Sequence, residues 1–123
     1  MISVIVNREG NLIRAIYANG HAGYDEPGRD IICSGVSTLL FTAASALEDI
    51  CGYDSESFFR ISGEGTEDVN LRITVPDMGD DETKNRAQVI MRTVELGLIG
   101  IARDYNDSKK KYAEIINSRT PEV

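Results

Sequence analysis

The chain has 123 residues, of which 41% are apolar and 27% charged, and a net charge of −7. These proportions describe a single folded domain over residues 1–123 and exclude a disordered tail. They also exclude nucleic acid as a direct partner, because neutralising phosphates needs a basic patch, and the one lysine run, Lys109 to Lys111, reads as a solvated edge.

From the N-terminus, "MISVIVNREG" turns polar after six residues, too early for a leader or a span. Residues 2–7 and 12–18 alternate as strands, joined at "NREGN", where Gly10 can take a positive φ; together they predict a hairpin. Residues 19–30 hold three glycines and Pro27 and read as a loop. Residues 31–51 predict a helix with Asp30 as N-cap and Gly52 as its stop. Its apolar face comprises Val36, Leu39, Leu40, Ala43, Leu47, Ile50 and Cys51. Ser34, Ser37, Thr38, Thr42 and Ser45 interrupt its apolar character, so no membrane span is expected and the cytoplasm is the expected location.

A second hairpin follows at 57–62 and 67–75, turning at "GEGTE". A second helix starts at Asp80, Asp81 and Glu82, whose charges suit a helix N-terminus. Its stripe is Ala87, Ile90, Met91, Val94, Leu98, Ile101 and Ala102. Gly97 and Gly100 suggest close packing against small residues of the first helix, Ala43, Ala44 and Ala46. "KKYAEIIN" is read as a last strand. The order ββαββαβ, with strands buried on one side, predicts an α+β fold: an antiparallel sheet with two helices packed on one face.

The chemistry concentrates in "NGHAGYDEPGRDIICSGVS", residues 19–37, which holds the only histidine, His21, and one of two cysteines, Cys33. As the third residue of a helix capped by Asp30, Cys33 would sit by unpaired N–H groups and the positive end of the macrodipole, a setting that favours thiolate. An imidazole near it would act as base or ion-pair partner, and the backbone N–H groups of Ser34 or Gly35 are candidate oxyanion donors. Ser37 lies one turn further on the same face. Asp30 is placed to cap the helix, to orient His21, or to do both. The 22–29 loop is long enough to fold back and bring His21 over Cys33. The bland alternative is a small buried cysteine beside a loop histidine.

Cys51 belongs to the core reading, since the far end of a helix disfavours a thiolate. The two cysteines stand 18 residues apart on one predicted helix. That is about 27 Å, too far for a disulfide. One histidine and two distant cysteines do not make a zinc site, so no metal is expected. "GEG" is a turn and not a phosphate cradle.

"GHA" at 20–22, with "GRDIICSGVS" at 28–37, resembles the signature of the ribosomal-processing cysteine protease family, Prp. Gly20, His21, Gly28, Asp30, Cys33 and Ser37 carry the resemblance, and the rest of the chain matches it as pattern. The resemblance implies a cysteine endopeptidase that removes the N-terminal extension of a large-subunit ribosomal protein, after an aromatic-rich stretch. Cys33 would be the nucleophile and His21 the base and then the acid, with Gly20, Asp30 and Ser37 supporting them. It implies a homodimer, with no metal or organic cofactor. Ser34 and Gly35 depart from the alanines common after the family's cysteine, and "YDEP" is a more acidic loop than the family's. Asp25 and Glu26 are expected to favour a lysine-rich segment of the substrate. Two other readings compete. One is a non-catalytic module that binds a ribosomal protein or a ribosome-assembly partner. The weaker is a thiol-redox role, for which no resolving cysteine lies within reach.

Overall fold

The computed structural model describes residues 1–21, 30–64 and 69–119. Among these the chain forms β1 (Ile2–Glu9), β2 (Leu12–Asn19), α1 (Ile31–Asp49), α2 (Ser55–Phe58), β3 (Phe59–Ser62), β4 (Asn70–Thr74), α3 (Asp81–Tyr105) and β5 (Ala113–Arg119). The strands lie side by side in the order β3-β4-β2-β1-β5.

Alternation decides which face is buried. Val4 and Val6 of β1 pair across to Ala18 and Ile16 of β2, and all four point into the core with Ile2; Leu71 and Ile73 extend the same layer on β4. The two long helices cover that one face. Val36, Leu40, Ala43 and Leu47 of α1 and Ala87, Met91, Val94 and Leu98 of α3 meet the strands. The expected α+β fold is therefore present.

Its sheet is mixed, because β5 runs parallel to β1 from Ile2↔Ala113 to Arg8↔Arg119, while the other pairings are antiparallel. Alternation is the same in either direction, so it cannot report strand polarity. Residues 55–58 form the single turn α2, capped by Asp54, whose carboxylate accepts from the Glu56 N–H at 3.1 Å; this delays β3 to Phe59. The first hairpin turns at Gly10, φ +60°, as its sequence requires. The second turn, over 65–68, lies outside the described residues.

Asp30 and Asp80 are the N-caps of α1 and α3. By length and composition α1 would be able to cross a membrane, despite its hydroxyl residues. In the fold one face of it is the core, against β4 and α3. Ile50, expected inside, is 52% exposed, because the helix stops at Asp49 and Ile50 falls at its C-cap. The two helices meet where glycine removes bulk. A Cβ on Gly97 would lie 2.9 Å from Leu39 Cδ1, and one on Gly35 would lie 3.1 Å from Ile101 Cδ1. The nearest neighbour of Gly97 is thus Leu39. Gly100 makes no such contact, since only its own helix's Arg103 comes near.

One charged group is buried inside α3. Glu95 is 1% exposed, and its Oε1 accepts from Arg8 Nη2 of β1 and, at 2.5 Å, from Arg92 Nη1. Arg8 continues to Asn117 Oδ1 of β5 at 2.5 Å, so one carboxylate ties α3 to the β1–β5 seam. Sequence periodicity passes over this group, because a glutamate on an amphipathic helix is read as solvent-facing.

Candidate active site

The site forms where β2 ends and α1 begins. Gly20 closes β2 at φ +87°, donating its N–H to the Val69 carbonyl at 3.3 Å. A Cβ there would stand 2.7 Å from the Met1 carbonyl oxygen, a backbone atom that cannot swing aside. Only glycine fits both the conformation and the space, and so it fixes the point from which His21 leaves the sheet. We expect Gly20→Ala to lower stability by about 1–3 kcal/mol, read as a fall in Tm. A variant as stable as wild type would mean that this exit is not constrained.

At the other wall, Asp30 is 7% exposed, and its Oδ1 accepts from the N–H groups of Ile32 at 3.1 Å and Cys33 at 3.0 Å. This is an N-cap that seats Cys33 at the third helical position, as the spacing predicted. It also means that the carboxylate holds the first free donors of α1, including the N–H of Cys33 itself. The Ser34 N–H donates to the Asp30 carbonyl at 3.0 Å, and Gly35 is already inside the helix. The donors expected to be unpaired are therefore engaged in the resting structure. Gly35 has a packing role that sequence reasoning missed: its bare backbone admits Ile101.

His21, Cys33 and Ser37 come together. They line one cavity of about 230 Å3, whose other walls include Gly20 and the apolar side chains of Ile2, Val36 and Leu71. Cys33 is half-buried and His21 exposed where they line this cavity. A thiol, an imidazole and a hydroxyl around a greasy recess are the components of thiol-based acyl transfer. Among the described residues no group of three or more His, Cys, Asp or Glu could hold a metal. The 22–29 segment, with Gly28, Asp25 and Glu26, lies outside the described residues.

Cys51 is elsewhere. Neither cysteine forms a disulfide, and the Cys51 thiol points at the Thr83 carbonyl, 3.8 Å away. Burial pushes its pKa up, against the opposing charge of Arg86. Alkylation at neutral pH should therefore label Cys33 about tenfold faster than Cys51, measured by mass spectrometry of the peptides. Equal labelling would remove the distinction between them.

Residues 1–110 match a family model described as cysteine protease Prp. Over 117 residues the chain is 28% identical to the ribosomal processing cysteine protease Prp of Bacillus subtilis, spanning 94% of this chain and 100% of the relative. Identity to the Staphylococcus aureus protein of the same name is 29% over 107 residues, 87% of this chain and 92% of the relative. The fold superposes on the crystal structure of S. aureus Prp in complex with a covalently linked product peptide at TM-score 0.69 and 25% identity, covering 96% of this chain and 100% of that one. SMU.848 from Streptococcus mutans shares the fold at TM-score 0.74 and 21% identity, covering 98% and 96%. With the family model spanning residues 1–110 and a recess lined by both Cys33 and His21, the chain belongs to the Prp family of cysteine proteases.

Proposed function

We propose that this domain, residues 1–123, is an endopeptidase that removes the N-terminal extension of a large-subunit ribosomal protein, with Cys33 as nucleophile and His21 as general base and acid. The observation that carries the reading is the shared cavity of His21 and Cys33 at the start of α1. The relatives' role in ribosomal processing supports the substrate, and the covalent product peptide on S. aureus Prp supports a covalent route.

Each step follows from the chemistry. His21 takes the Cys33 proton, and the sulfur attacks the scissile carbonyl carbon. The C–N bond then breaks as His21 returns the proton to the leaving amine, leaving a thioester. Water, deprotonated by His21, releases the acid and restores the thiol. Because Asp30 already occupies the first donors of α1, the imidazole does more of the activation than the helix dipole. Gly20 sets the histidine's exit, Asp30 seats the cysteine, and Ser37 offers a hydroxyl to the bound chain. Ser34 and Gly35 N–H groups would serve an oxyanion by sharing bonds they already make. The apolar wall of Ile2, Val36 and Leu71 suits an aromatic or aliphatic side chain beside the cut. The enzyme works as a homodimer in the cytoplasm, without metal or cofactor.

The test is incubation with a ribosomal protein precursor that carries its extension, wild type beside Cys33→Ser, followed by intact-mass analysis. Loss of the extension with wild type alone supports the reading. A precursor that stays whole but co-elutes with both proteins would make this a binding module instead.

A further inference from the structure

Three depressions on the surface follow one another along α1, each sharing lining residues with the next. The cavity at Cys33 shares Ser37 with a trough lined by Ser34, Thr38, Phe41, Thr42 and Ser45. That trough shares Phe41 and Ser45 with a hollow of about 310 Å3 which reaches Phe59, Glu48 and Asp49. We infer that this face of α1 carries the substrate chain away from the cut and selects a cationic side chain about six or seven residues from the scissile bond. The inference rests on the peptidase reading above and names the substrate's charge.

The length follows from the geometry. Fifteen positions separate Cys33 from Glu48, about 22 Å of helix, which an extended chain covers in about six or seven residues. Halfway along, Phe41 is 46% exposed and leans on Phe59, with ring centroids 5.4 Å apart at 55°. β3 is the sheet's edge, and among the described residues no strand lies beyond it. The serines and threonines of the trough offer donors and acceptors to a chain in extended form.

Charge identifies the occupant. Glu48 and Asp49 are exposed in the last turn of α1, which holds no basic residue, so two negative charges sit at the negative end of the dipole. Neither joins an ion pair among the described residues. A lysine or arginine of the substrate relieves this arrangement, and a neutral or acidic one does not.

The experiment uses the intact protein and neutral peptides spanning the cut, each with one lysine moved from three to nine residues from the scissile bond on either side. Wild type should favour lysine at six or seven residues, on one side, by about fivefold in kcat/KM, the range of exposed charge pairs. The preference should shrink in high salt and fall to about one in the Glu48→Gln/Asp49→Asn variant. Phe41→Ser should raise KM for every peptide. Cleavage by wild type that ignores lysine position, or a preference that survives the double variant, overturns this inference and leaves the peptidase reading intact. Phe41→Ser that alters only oligomeric state, with KM unchanged, also overturns it and marks the face as an interface between copies. If neither the peptides nor the precursor are cut, both readings fall together.

Discussion

Cys33→Ala should reduce kcat/KM on a peptide spanning the extension by about 10^4-fold or more, since in the proposed mechanism it removes the nucleophile and leaves only binding and electrostatic effects. The half-buried side chain loses one sulfur, so Tm should stay close to wild type. His21→Ala separates the base from the nucleophile. Without the imidazole the thiol gives up its proton only to solvent, so residual activity should climb as pH rises. A flat profile would show that the imidazole is not the proton acceptor. Stopped-time assays with both variants, over a range of pH, distinguish these outcomes.

The largest effect on stability should come from Glu95. Burial pushes its carboxyl up, but the hydrogen bonds and charges of Arg8 and Arg92 outweigh burial and hold it below the usual glutamate range. A folded pKa below the unfolded one means that stability is present in full above the unfolded value and is lost as pH falls through the folded one. Glu95→Ala strands Arg8, whose side chain is 14% exposed, while Arg92 at 54% recovers water. Breaking a buried pair from one side costs about 3–5 kcal/mol, and the exposure of Arg92 brings the expected loss to about 2–3 kcal/mol. For a domain of this size that is a Tm lower by about 10 °C at neutral pH. The gap between wild type and variant should narrow on acidification. A gap independent of pH would mean that the loss is one of packing.

Much of the fold is legible in period and punctuation. Val4, Val6, Ile16 and Ile73 declare a one-sided sheet, Asp30 and Asp80 announce two helices, and Gly52 ends the first. The motif around His21 and Cys33 shows in the sequence that two residues twelve apart share a recess, though only the family pattern gives that spacing weight. Three features are hidden, each for a physical reason. The partner of β5 lies more than a hundred residues away, and no local pattern encodes it. The role of Gly20 depends on the Met1 carbonyl, a neighbour only in space. The burial of Glu95 follows from Arg8 arriving beside it, which helical periodicity does not register.

The seam between β1 and β5 gives this protein an order of assembly. Ile2 walls the recess, yet its strand is flanked on one side by residues far along the chain, as in the bond from Ser3 Oγ to Glu114 Oε1 across 111 positions. Such distant pairing makes late, slow closure the rule. The recess that His21 and Cys33 line therefore has one wall, Ile2, on a strand whose outer edge is closed only by residues more than a hundred positions further along the chain.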